Sequence, residues 1–91
     1  MSGQEVTVLL IEDEPEIRRF LRTMLPAHGF RLYEAATGKE GLTEAQARNP
    51  DLILLDLGLP DLEGSEVIRQ LREWTATPII VLSARDPEQV K

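Results

Sequence analysis

Three runs of apolar residues with almost no polar interruption stand out along the chain: Val6–Ile11, Leu52–Leu55 and Ile79–Leu82. Runs of this length, rich in β-formers and without polar alternation, predict strands covered on both faces, as in parallel sheets. Phe30–Ala35 is a short run, less apolar than the first, which predicts a strand nearer a sheet edge. Between the runs, apolar residues recur at helical spacing. Ile17, Phe20, Leu21, Met24 and Leu25 form one stripe, with Arg18, Arg19 and Arg22 predicted on the outward face. Leu42, Ala45 and Ala47 mark a second helix, and Val67, Ile68, Leu71 and Trp74 a third.

Local signals set the boundaries. Pro15 suits the first helical position, with Asp13 or Glu14 able to cap the helix, and Pro26 and Gly29 close it. Thr37-Gly-Lys-Glu40 is a capping box, and that helix is predicted to stop before Asn49-Pro50. Gly64-Ser65 opens the third helix, Pro78 leads into the last strand, and Asp86-Pro87-Glu88 predicts the start of a fourth helix. The order β-α-β-α-β-α-β predicts a doubly wound parallel α/β sheet with right-handed crossovers and helices on both faces.

A chain of 91 residues makes one domain, residues 1–91, and 42% hydrophobic with 29% charged residues excludes simple disorder. A net charge of −6 speaks against a nucleic-acid-binding module. With no cysteine, disulfides and thiolate metal sites are excluded. No apolar run approaches the ~20 residues of a membrane span, and Met1–Glu5 lacks a basic signal-peptide start, so the expected location is cytoplasmic.

Candidate chemistry gathers where strands end. The first is followed by Glu12 and Asp13, the central one by Asp56, and the last by Ser83. If the strands are parallel neighbours, these groups meet on the carboxyl edge, where α/β sheets bind ligands. Clustered carboxylates repel, and a hard divalent cation such as Mg²⁺ relieves this through oxygen ligands. The same cation suits an incoming phosphoryl group attacked by Asp56, with the Ser83 hydroxyl bonding a phosphoryl oxygen. Taken singly, Glu14 and Asp13 also read as helix caps and Asp56 as a loop residue; their joint placement favours a site. His28 reads as a solvated loop residue and Trp74 as core or near-core.

Leu10-Ile-Glu-Asp-Glu14, Leu54-Leu-Asp-Leu-Gly-Leu-Pro-Asp61 and Ile80-Val-Leu-Ser-Ala84 together resemble the receiver domain of bacterial response regulators. Ile17-Arg-Arg-Phe-Leu-Arg22, Asp56–Asp61 and Val81-Leu-Ser-Ala-Arg85 are most similar to the Kdp-type regulators of potassium-transport operons, within the winged-helix class. The resemblance implies a flavodoxin-like sheet in the order 2-1-3-4, with a fifth strand and helix missing. It implies that Asp56 accepts a phosphoryl group from a sensor histidine kinase in a Mg²⁺-dependent reaction. It makes Asp13 and Asp56 direct metal ligands, Glu12 a ligand through water, and the Gly58 backbone carbonyl a further ligand. Ser83 becomes the switch hydroxyl and Ala84 its small neighbour, while Pro60 and Gly64 shape the site. The output would be a transcription-factor domain, with DNA bound only by a full-length protein.

The departure is at the carboxyl end. Lys91 falls where a receiver's fourth helix would run, so the Lys-Pro strand and fifth helix of receivers are not represented. The expectation is an incomplete receiver, not an enzyme in the turnover sense, labelled slowly and self-associating through the edge at Pro78–Ser83. The alternatives are a pseudo-receiver that binds partners without phosphotransfer and an Asp-nucleophile phosphohydrolase. The second wants another Asp two positions after the first, where Gly58 stands. A dinucleotide-binding domain is disfavoured because no G-x-G-x-x-G follows the first strand.

Overall fold

A computed structural model describes residues 5–82. Four strands, β1 (Val6–Ile11), β2 (Phe30–Ala35), β3 (Leu52–Leu55) and β4 (Ile79–Val81), alternate with three helices, α1 (Pro15–Ala27), α2 (Gly38–Arg48) and α3 (Gly64–Arg72). All strand pairs are parallel, in the order β2-β1-β3-β4. The predicted fold and the edge position of β2 are both found. The predicted fourth helix lies outside the described residues.

Alternation along the strands sorts the core into two layers. Leu9 and Ile11 of β1, with Ile53 and Leu55 of β3, pack on Ala45 of α2 and Val67 and Leu71 of α3. Val8, Leu10 and Leu54 point the other way, against Leu21 and Leu25 of α1. Every one of these strand residues is buried, so β1 and β3 are the uninterrupted centre of the sheet. Gly41 lets α2 lie against β1, because a Cβ there would fall 2.5–2.9 Å from three side-chain atoms of Ile11.

The helices begin largely as the sequence indicates. Pro15 opens α1, and the Thr37 hydroxyl accepts the Glu40 N–H at 3.1 Å as a capping box requires. Glu40 completes the box one residue early, its Oε1 accepting from the Ala36 N–H at 2.8 Å. Neither Asp13 nor Glu14 caps α1 with its side chain: Glu14 occupies the N-cap position without a side-chain bond. The Glu14 N–H is instead taken by Glu12 Oε2 at 3.1 Å, a contact set by the sharp exit from β1.

Two expectations about exposure are corrected. Arg18 does not face outward; it is half-buried, turned towards β2 and the end of β1. The exposed Arg22 is tied to Glu34 by two bonds of 2.7 and 2.8 Å. Trp74 is not core but 42% exposed, because α3 stops at Arg72 and the chain leaves the helical stripe before reaching it. His28 is exposed as expected, with Nδ1 2.9 Å from the Met24 carbonyl oxygen. No residue of α1 is fully buried, and Phe20 is 61% exposed although it belongs to the apolar stripe. No helix among the described residues is long and apolar enough to cross a membrane.

Candidate functional site

The register of the two central strands decides what meets at the sheet's carboxyl edge. Ile11 and Leu55 are the last paired residues of β1 and β3, so Glu12 and Asp56 leave the sheet side by side. Backbone bonds hold both: the Asp56 N–H donates to the Ile11 carbonyl at 3.0 Å, and the Glu12 N–H to the Ala35 carbonyl at 2.9 Å. Glu12 is 1% and Asp56 7% exposed, while Asp13 is half-buried beside them. One oxygen from each of the three carboxylates lies within 4.8 Å of the others.

The electrostatics of this cluster are unbalanced. Among the described residues no arginine or lysine pairs with any of the three. Glu12 Oε1 and Asp56 Oδ2 are buried with no hydrogen-bond partner among the described residues. Burial pushes the Glu12 carboxyl above its ordinary value; the Glu14 N–H opposes this, and the charges of Asp56, Asp13 and Glu14 add to it. Buried carboxylate oxygens are costly unless paired, protonated or bound to metal. Two orphan oxygens on adjacent strands, with a third carboxylate at the rim, are a donor set that fits a hard divalent cation.

Gly58 and Pro60 sit in the exposed loop after Asp56, and that loop is held from a direction the sequence did not suggest. Asp61 accepts from the backbone N–H groups of Gly38 at 2.7 Å and Lys39 at 2.9 Å, so it binds the first turn of α2. The Lys39 N–H, and then that of Gly38, hold the Asp61 carboxyl below the usual range. Gly64 begins α3 directly against Leu57, whose side chain and Cα leave no room for a Cβ.

Of the expected site residues, the structure brings Glu12, Asp13 and Asp56 together and places Gly58 two residues further on. Ser83, Ala84 and Lys91 lie outside the described residues; the last described contact in that direction is the Leu82 N–H donating to the Leu55 carbonyl at 2.8 Å. A cavity of about 290 Å³ between α2 and α3 is lined by Leu42, Thr43, Gln46, Gln70, Glu73 and Trp74 and includes none of the carboxylates. Sequence reasoning gave Arg18 and Asp61 no role at the site. Asp61 acts through backbone N–H groups more than twenty residues before it, and the Arg18 guanidinium meets the main-chain carbonyls of Glu12 and Asp13; no local pattern marks either contact.

Residues 8–91 match the family model for the response regulator receiver domain. The chain belongs to that family. As a receiver domain it is 61% identical, over 84 residues, to the KDP operon transcriptional regulatory protein KdpE of Escherichia coli K12. It is 49% identical over 78 residues to the transcriptional regulatory protein KdpE of Mycobacterium tuberculosis. These matches cover 92% and 86% of this chain but only 37% and 34% of those relatives, so the receiver spans about a third of their length. Among solved structures, the chemotaxis response regulator CheY4 of Vibrio cholerae superposes with a TM-score of 0.85 at 30% identity, covering 94% of this chain and 75% of that one. The receiver domain of Klebsiella pneumoniae RstA gives 0.84 at 27% identity, covering 92% and 72%. Receiver domains bind Mg²⁺ at an acidic pocket, and this chain carries an acidic cluster of Glu12, Asp13 and Asp56 at the sheet edge.

Proposed function

We propose that this receiver accepts a phosphoryl group on Asp56 from a sensor histidine kinase, in a reaction that requires Mg²⁺. The observation that carries the reading is the buried Asp56 Oδ2, unpartnered among the described residues, beside Glu12 and Asp13 at the carboxyl edge of the central strands. Asp13, Asp56 and the Gly58 carbonyl would hold the cation directly, and Glu12 through water. When bound, Mg²⁺ neutralises both the carboxylates and the incoming phosphoryl group.

The residues divide the remaining work. A carboxylate oxygen of Asp56 forms the new P–O bond as the P–N bond of the phosphohistidine breaks, leaving its electron pair on the imidazole nitrogen. The backbone bond from the Asp56 N–H to Ile11 of β1 keeps Asp56 aimed at the edge, so attack needs no rearrangement of the strand. Ser83 supplies a hydroxyl to a phosphoryl oxygen after transfer. The chain thus serves as a phosphoacceptor that promotes its own labelling, without turnover of a substrate. Its kinship with the KdpE proteins supports a cytoplasmic, potassium-responsive regulator of transcription as the longer setting of this domain.

Intact-mass measurement after incubation with acetyl phosphate tests the reading. A single phosphoryl adduct that forms with Mg²⁺ and not with a chelator supports it. A chain that binds Mg²⁺ yet never gains the adduct points instead to an interaction module without phosphotransfer.

A further inference from the structure

Arg18 makes contacts that a surface arginine of an amphipathic helix has no need to make. Its Nη1 donates to two successive main-chain carbonyls, those of Glu12 at 3.1 Å and Asp13 at 3.3 Å. These carbonyls belong to the two residues whose carboxylates reach the candidate cation site from β1. On its other side, Arg18 Nε lies 3.6 Å from Glu34 Oε1, with both side chains mostly shielded at 22% and 23% exposure.

Glu34 sits on β2 opposite Leu10, on the sheet face that packs against α1. Arg22, one turn after Arg18 on α1, grips the same carboxylate through Nε at 2.7 Å and Nη2 at 2.8 Å. Arg22 holds the Glu34 carboxyl below its usual range, which keeps it charged. The result is a relay from β2 through one guanidinium to the backbone that carries Glu12 and Asp13. Arg18 faces Glu34 with Nε and both carbonyls with Nη1, using two nitrogens of one planar guanidinium where an ammonium offers a single one.

We infer that Arg18 is a positioning residue of the cation site, holding the Glu12–Asp13 backbone in place, and that Glu34 acts on the site through Arg18. The inference rests on reading Glu12, Asp13 and Asp56 as a cation site. A plain tie between α1 and β2 would need the Arg22–Glu34 pair alone. The bonds to two consecutive carbonyls are what that simpler role leaves unused.

The test is Mg²⁺ titration of the full chain, followed by the amide shifts of Glu12, Asp13, Glu14 and Gly58, with melting temperature recorded in parallel. Groups that orient metal ligands from outside typically change metal affinity by about 10–100-fold. Arg18→Ala is expected to weaken Mg²⁺ binding roughly tenfold, the low end of that range, because it acts through backbone. Arg18→Lys and Glu34→Gln should each lose about threefold, since each keeps part of the relay. Arg18→Ala/Glu34→Gln should bind no more weakly than Arg18→Ala. In the metal-free chain, Arg18→Ala should also shift the Glu12–Glu14 amides. Ile68→Ala, a destabilising change on α3, should leave affinity within about twofold and so separates positioning from loss of stability.

An Arg18→Ala chain that is folded and binds within twofold of the parent overturns the inference, as does a double variant whose losses multiply. If Arg18→Ala does not fold, unchanged affinity in both Arg18→Lys and Glu34→Gln overturns it equally. Asp13→Asn tells the two failures apart. If it leaves affinity unchanged, the site reading falls and takes this inference with it; if it lowers affinity while the Arg18 variants do not, only the role of Arg18 falls.

Discussion

Gly41→Ala is a sharp probe of how the helix layer is fitted to the sheet that carries the site. On propensity alone the change is favourable, since alanine in a helix interior is worth up to about 1 kcal/mol over glycine. The geometry opposes it. A Cβ at position 41 would lie 2.5 Å from Ile11 Cδ1, 2.8 Å from Cγ1 and 2.9 Å from Cγ2. Carbon atoms settle at about 3.5–4.0 Å, so roughly 1 Å of separation must be found. Ile11 is fully buried between β2 and β3 and has nowhere to turn, which leaves α2 to lift from the sheet. Three contacts under 3.0 Å to a fully buried side chain put the overpacking in the upper part of its usual range, about 2–3 kcal/mol. Set against the propensity gain, the net loss is about 1–2 kcal/mol, or roughly 5–15 °C in Tm for a domain of this size. Thermal and urea melts followed by circular dichroism provide the assay. Ile11→Val removes the atom in closest conflict, so Gly41→Ala/Ile11→Val should be more stable than the sum of the single changes implies. A Gly41→Ala chain as stable as the parent, or more so, refutes the close approach of α2 to β1.

The remaining predictions concern the carboxylates and the sheet edge. Burial raises the Glu12 carboxyl, so the folded chain holds that proton more tightly than the unfolded chain. The charged form therefore weakens the fold above the folded pKa, and the penalty disappears below the ordinary value of 4.5. Glu12→Gln should raise Tm at neutral pH without Mg²⁺ and give no gain below that value; equal gains at both pH values would contradict the cause. Asp61 has a depressed pKa, so its hold on α2 is present above the unfolded value and lost as pH falls through the folded one. Asp61→Asn should accordingly lower Tm at neutral pH, by a margin that closes in acid. The outer edge of β4 pairs with nothing among the described residues, and Ile80 and Val81 there are 51% and 39% exposed. Uncharged edges of this kind template pairing, so the 91-residue polypeptide should self-associate at low micromolar concentration in light scattering, and Ile80→Lys should weaken the assembly. A dilute monomer would contradict that.

Much of the fold was legible because its signals are short-range. The unbroken apolar runs of β1 and β3, the capping box at Thr37–Glu40 and Pro15 at the head of α1 each act over a few residues. The site followed from the same source: once β1 and β3 are parallel neighbours, residues just past their ends must converge, and Glu12, Asp13 and Asp56 do. What escaped depends on contacts between distant segments. Arg18 looks like one of three solvent-facing arginines until β2 supplies Glu34. Asp61 looks like a turn residue until the start of α2 is placed beside it. Trp74 keeps the helical period of α3 but lies beyond the helix's actual end, so periodicity assigned it a burial it does not have.

The central claim is that Asp56 is the phosphoacceptor. The most direct measurement is to label the full chain with acetyl phosphate and Mg²⁺, trap the acyl phosphate by borohydride reduction, and map the modified residue by peptide mass. Modification confined to Asp56, absent after chelation and absent in Asp56→Ala, is the predicted result. Labelling that persists in Asp56→Ala, or that maps to Asp13 or Asp61 in the parent chain, would contradict it.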